Sequence, residues 1–346
     1  MLDVSIKDAG RLARVVSGQV DPARLTLFST MKNEMGFLPA FLAHYRSIGF
    51  EQFLIWDDAS TDGTFEHLSA QSDCIVMRSD LGFGQELRFT DPEGRTRVER
   101  AGTYFKIALP HLFFDNAFVA YVDADEFLIL PPGVTSVAQV VDRLRDDGAF
   151  AAVASVVEFF PRGVQGLKGE LPDSFQGLIA AYPHFQAEAL VDLTPGALRP
   201  RLMGQSKTAH LYAQYNVTPP LIRRGWHKIW MPARVRRDQQ SQTSPRHKTP
   251  LILRSADCHQ VGSHNASKPP SSTVLLTLAH FVFTAQFADK ITRAITQGAH
   301  AHGARKYHGY AQLLKAMEGR DDGFLDAQSV RYQGPQQLID LGLMRW

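Results

Sequence analysis

Short apolar, β-branched and aromatic runs at residues 25–30, 52–56, 74–77 and 118–122 alternate with segments of helical periodicity, and this alternation restricts the fold more than any other feature. Runs of this kind read as strands buried on both faces. Between the first two, Phe37, Leu38, Phe41, Leu42, Tyr45 and Ile48 recur on one helical face over residues 34–48, and Gly49 ends that helix. The repetition predicts an α/β chain with a Rossmann-like, doubly wound and mostly parallel sheet. Further helices are expected over 97–113, 136–145 and within 275–296, with strands at 127–130 and 151–157. Residues 167–220 are irregular and punctuated by Gly and Pro, the pattern of long loops packed over a site.

Three of the expected strands end in polar clusters: Thr30-Met31-Lys32-Asn33-Glu34, Asp57-Asp58-Ala59-Ser60, and Asp123-Ala124-Asp125-Glu126. An Asp-x-Asp triplet alone is weak, since about one or two arise by chance at this Asp content. Its setting is stronger, because open α/β sheets place ligands in the crevice at the carboxyl ends of their strands. Asp57 or Asp58 can accept hydrogen bonds from a base or ribose, and the groups after Thr30 can border a nucleotide. Asp125 and Asp123 can carry Mg²⁺ or Mn²⁺, hard ions that take carboxylate and phosphate oxygens together.

Composition narrows the classes. With 346 residues, 44% of them hydrophobic, the chain can bury a large core. The 37 Lys and Arg barely exceed the 35 Asp and Glu, which gives no general case for nucleic-acid binding. Any basic function is local, as in residues 223–248, where Arg223, Arg224, Lys228, Arg234, Arg236, Arg237, Arg246 and Lys248 face a single acid, Asp238. That run reads either as a solvated loop or as a surface for phosphate or an anionic, lipid-linked acceptor. Cys74 and Cys258 are the only cysteines, without metal or disulfide spacing, which points to a reduced cytoplasmic setting. No segment reads as a signal peptide or a membrane span, so contact with a membrane, at its inner face, would be peripheral.

Together, Lys32-Asn33-Glu34 after a first strand, Asp57-Asp58-Ala59-Ser60-Thr61-Asp62-Gly63-Thr64 after a second and Asp123-Ala124-Asp125-Glu126-Phe127 after a fourth resemble the family 2 glycosyltransferases, in the branch with Lys-Asn-Glu and Asp-x-Asp-Glu-Phe motifs. The resemblance implies a GT-A fold, a UDP- or GDP-linked sugar donor, a glycan or lipid-linked acceptor, bound Mn²⁺ or Mg²⁺, and inversion at the sugar. It implies a nucleotide-sugar-binding core over 25–160 after an N-terminal extension at 1–24, an acceptor-side region at 161–300 completing the same domain, and a helical tail at 301–346. By position, Asp58 (or Asp57) would touch the nucleoside, with Thr30, Lys32, Asn33 and Glu34 alongside. Asp125 would ligate the metal, and Asp123 the metal or ribose. The later His280-Phe281-Val282-Phe283, with Phe287 and Lys290, makes His280 a third metal or diphosphate contact and Lys290 a phosphate partner. His264, in a Gly/Ser/Asn loop, is the alternative ligand. For the catalytic base the expectation is Glu158, at the end of the strand over 151–157, with Asp173 and Asp192 as rivals. Two other readings stay open: a metal-dependent nucleotidyltransferase, disfavoured because residues 30–36 lack a Gly-rich basic loop, and a nonenzymatic nucleotide-binding module.

Overall fold

The computed structural model describes residues 1–217, 243–262, 264–297 and 301–346. Its strands in chain order begin with β1 (Leu2–Ser5), β2 (Ala13–Ser17), β3 (Thr26–Met31), β4 (Gln52–Asp57), β5 (Cys74–Ser79), β6 (Glu86–Thr90), β7 (Thr96–Arg100), β8 (Ala117–Tyr121), β9 (Glu126–Ile129) and β10 (Ala151–Glu158). The short β11 (His184–Gln186), β12 (Val191–Asp192) and β13 (Arg201–Leu202) precede β14 (His247–Arg254). Then come β15 (Gln260–Val261), β16 (Asn265–Ala266), β17 (Leu275–His280) and β18 (Ser329–Arg331). The α-helices are α1 (Ala9–Leu12), α2 (Leu38–Ser47), α3 (Thr64–Ser69), α4 (Ala101–Ala108), α5 (Val137–Asp146), α6 (Phe175–Ala181), α7 (Lys207–Gln214), α8 (Phe287–Gln297), α9 (Ala301–Met317) and α10 (Pro335–Asp340).

Every residue of β4 and β10 is buried, which is why their sequences are continuous apolar runs rather than alternating ones. Nine strands form one sheet in the order β2-β5-β4-β3-β8-β14-β10-β17-β9. Strands β5, β4, β3 and β8 are parallel, as are β10 and β17, but β2, β14 and β9 run antiparallel to their neighbours. The chain is therefore α/β with a mixed sheet whose central strands are mostly parallel. β14 enters antiparallel between β8 and β10, and so places residues 247–254 in the middle of the sheet.

One apolar core lies between the sheet and α2 and α5, with Phe41, Tyr45, Phe127 and Val140 in it. A second covers the opposite face around Trp56, Tyr104 and Phe105, and a third joins α7, α8 and α9 around Phe283, Phe287 and Tyr310. Helix α5 begins where Ser136 and Gln139 form a capping box.

Two local expectations are corrected. The helix over 97–113 begins only at Ala101, because Thr96–Arg100 instead pairs with Glu86–Thr90 in an antiparallel hairpin. Residues 167–220 are not wholly irregular, since α6 and α7 lie within them, each with a serine at its N-cap whose hydroxyl accepts a backbone N–H. Most of the basic run at 223–248 lies outside the described residues, but Lys248 does not: it is wholly buried in β14. Among the described residues no helix is long and apolar enough to cross a membrane.

Candidate functional site

The carboxyl ends of β3, β4 and β8 open into one cleft of about 400 Å³, and the polar clusters that follow these strands meet there. The first two are stitched together. Asp58 N–H donates to Met31 O (2.9 Å), Asn33 N–H to Ser60 Oγ (2.9 Å), Glu34 N–H to Thr64 Oγ1 (3.0 Å) and Met35 N–H to Asp62 Oδ2 (3.0 Å). Asn33 Oδ1 accepts Thr61 N–H at 2.7 Å. Asn33 and Ala59 both hold left-handed backbone (φ 56° and 54°), a conformation costly for Ala that persists here because these bonds fix both loops.

At this end of the cleft the structure separates two neighbouring aspartates. Asp57, the last residue of β4, turns away and is buried against Arg78, which donates through Nε and Nη2 to Oδ2 (both 2.7 Å). Asp58 faces the cleft, where its Oδ2 takes Lys32 Nζ (3.1 Å) and its Oδ1 takes Phe83 N–H (3.1 Å). The Phe83 ring also lines the cleft and stacks on Trp56 at 6.2 Å. A Cβ on Gly102 would lie 2.3 Å from that ring, so a glycine there is what lets Phe83 occupy its place. Phe83 therefore sets an aromatic side chain beside Asp58 and Lys32, at a position that no motif in the sequence marks.

Farther along, Asp123 is surrounded by donors. Its Oδ1 accepts from Tyr121 Oη and lies 3.4 Å from Lys106 Nζ, and its Oδ2 takes Lys248 Nζ at 2.8 Å. Lys248 also bonds Glu126, whose Oε2 accepts Asp123 N–H at 2.9 Å. Burial opposes ionisation of Asp123, but the two ammonium groups overcome it and hold the carboxyl well below the usual range. Both Asp123 oxygens thus already accept from lysines, and the carboxylate is held fixed at the cleft wall. Lys106 and Lys248 carry no motif, and only the sheet order brings them here.

Asp125 is less encumbered. Lys290 Nζ donates to its Oδ2 at 2.9 Å and lies 3.7 Å from Glu34 Oε1, while Oδ1 faces His280 Nε2 at 3.8 Å. Burial opposes its charge, and Lys290 and His280 outweigh that to lower its pKa. Lys290, expected at a phosphate, is thus already paired with acids. Ligands of a hard divalent ion stand about 2.0–2.6 Å from it, so one ion can touch Asp125 Oδ1 and His280 Nε2 without displacing Lys290. His280 Nδ1 and Glu34 Oε2 are buried without hydrogen-bond partners, a polar remainder that a charged ligand nearby would compensate. Among the described residues no group of three His, Cys, Asp or Glu could hold a metal, so the protein would supply two ligands and the substrate's phosphates and water the others. His264 lines the same cleft, with Nδ1–H donating to His247 O (3.1 Å); burial and then Lys248 push its pKa down to about 3, and it is neutral at physiological pH.

Glu34 responds to the same surroundings. Burial raises its pKa to about 7 against the pull of Lys290. Its folded value exceeds its unfolded one, so it contributes stability in full below about pH 4.5 and loses it as pH rises toward 7. Denaturant midpoints at pH 5 and pH 8 are expected to show Glu34→Gln gaining on the native protein at the higher pH. An unchanged difference would place the proton elsewhere.

None of the expected bases lines the cleft. Glu158 is buried behind it, with Oε2 accepting Thr208 N–H (2.8 Å) and Oε1 accepting Thr208 Oγ1–H (2.6 Å). It thus neutralises the first turn of α7, whose free N–H groups favour an anion. Asp173 is exposed, and Asp192 pairs with Arg201 and Arg345.

No family model matches the chain. No curated protein matches it. Among solved structures it is similar to one described as UTP-bound UGPase from Acinetobacter baumannii, with a TM-score of 0.29 and 8% identity over 92% of each chain, a likeness too distant to bear on function.

Proposed function

We propose that the chain is a glycosyltransferase of the GT-A type and of family 2 character, dependent on Mn²⁺ or Mg²⁺. It moves a sugar from a UDP- or GDP-linked donor to a hydroxyl of a glycan or lipid-linked acceptor, with inversion. The observation that carries this reading is the order of groups along one cleft. Phe83, Asp58 and Lys32 offer a face and hydrogen-bonding groups for a nucleoside, Asp123 a fixed acceptor for a ribose hydroxyl, and Asp125 with His280 a place for a divalent ion at the diphosphate.

In this reading Phe83 and Asp58 orient the nucleoside, and the ammonium groups of Lys106 and Lys248 keep Asp123 ionised to receive the ribose. Asp125 and His280 would hold the ion, which supplies charge neutralisation to the departing diphosphate. Lys290 keeps one Asp125 oxygen fixed and so aims the other. The rigid pairing of the loops after β3 and β4 preorganises the nucleoside end, so that little ordering accompanies binding.

Product analysis separates this from nucleotidyl transfer. Incubated with a panel of UDP- and GDP-sugars and Mn²⁺, the protein is expected to release nucleoside diphosphate and free sugar slowly in the absence of acceptor. Release of pyrophosphate from a nucleoside triphosphate and a sugar 1-phosphate, with no hydrolysis of any donor, would replace this reading with the nucleotidyltransferase one.

A further inference from the structure

The cations of the cleft are not equivalent. Lys32, Lys106 and Lys290 are each tied to a carboxylate, Asp58, Asp123 and Asp125. Two others lining it, Arg293 of α8 and Lys306 of α9, have no carboxylate within ion-pair distance among the described residues. Among the described residues Lys306 Nζ meets Ser244 Oγ at 3.5 Å and the Tyr310 ring centre at 5.3 Å. Glu158 is the acid that acts on it most, but both oxygens of Glu158 are engaged by Thr208. Burial accordingly lowers the Lys306 pKa. Removing an ammonium from water without a counterion is unfavourable, and a ligand anion that supplies the counterion gains by it.

The contacts of Lys306 also fix its place. Ser244 immediately precedes the β14 segment and Glu158 ends β10, so Lys306 stands over the β14–β10 half of the sheet. Lys32, Asp58 and Phe83 mark the opposite, β3–β4 half.

We propose that Lys306 is the anchor of an oxyanion subsite at the end of the cleft remote from the nucleoside face, taking a phosphate or carboxylate group of a substrate. The group belongs either to the distal part of the donor diphosphate or to an anionic acceptor, and this choice of source rests on the donor-site reading above. The subsite itself does not.

The test compares native protein with Lys306→Gln and Lys306→Arg, in melts titrated with inorganic phosphate, with pyrophosphate, and with UDP or GDP plus Mn²⁺. Without ligand, Lys306→Gln is expected to melt no lower than native, because the replaced charge has no carboxylate partner among the described residues. Phosphate and pyrophosphate are expected to stabilise native protein and Lys306→Arg, with affinity reduced about tenfold or more in Lys306→Gln, or about 1.4 kcal/mol. If nucleoside diphosphate affinity falls in parallel, the anion is the donor's; if it holds while phosphate affinity falls, the anion is the acceptor's. Equal phosphate binding by native and Lys306→Gln, or none by native, overturns the subsite. Loss of phosphate binding in Lys306→Gln by a protein that binds neither UDP nor GDP with metal would instead overturn the donor reading and leave the subsite in place.

Discussion

Replacing Asp125 with asparagine is expected to lower metal-dependent turnover of a nucleotide-sugar donor on the order of 10³-fold, equivalent to about 4 kcal/mol of transition-state stabilisation. Asp125 combines a carboxylate oxygen facing His280 at 3.8 Å with one anchored by Lys290 at 2.9 Å, and no other acid of the cleft offers both. Asparagine keeps the shape and removes the charge. It also leaves Lys290 with Glu34 at 3.7 Å as its remaining acidic neighbour, so some loss of stability accompanies the loss of rate. The informative control is Asp57→Asn. Asp57 lies one residue from Asp58 but faces Arg78 and not the cleft, so its loss is expected to lower the melting temperature more than donor affinity. Donor hydrolysis by Asp125→Asn at the native rate would move the metal site elsewhere.

The second large effect is on folding. Lys248 is completely buried in the middle of the sheet and bridges Asp123 and Glu126, with the Tyr121 ring 4.5 Å away. Breaking a buried pair by removing one partner leaves uncompensated charge, which costs about 3–5 kcal/mol. Lys248→Met is therefore expected to lose much of a stability that is typically about 5–15 kcal/mol. The double variant Lys248→Met/Glu126→Gln, which also removes the orphaned acid, is expected to recover part of it. Denaturant unfolding of the single and double variants checks both. A single variant as stable as the native protein would mean that the lysine contributes nothing to holding Asp123.

The strands bearing the three polar clusters were legible because burial on both faces forces an uninterrupted apolar sequence, and their convergence followed from the geometry of parallel strands. What the sequence left open was which of two adjacent side chains faces the cleft. Asp57 and Asp58 differ only in the turn of the backbone at the end of β4, and that is set by Arg78 on the neighbouring strand. Glu158 ends a strand, the place expected of the base, and its bonds run to the start of α7, fifty residues later, a pairing that no local pattern carries. Lys248 was hidden for the same reason: within a run of basic residues nothing distinguishes the one that enters the sheet between β8 and β10. The β6–β7 hairpin did leave a signal. Asp91-Pro92-Glu93-Gly94 is a turn sequence, and it lies between β6 and β7.

In the proposed function one divalent ion, held by Asp125 and His280, joins this cleft to a nucleoside diphosphate. Thermal melting of the native protein with UDP or GDP, with and without Mn²⁺ or Mg²⁺, tests it most directly. At about a hundredfold excess over Kd, the expected stabilisation is about 2.7 kcal/mol, roughly 3–5 °C for a chain of this size, and it should appear only when nucleotide and metal are both present. An equal shift without metal, or none with either nucleotide, would contradict the account.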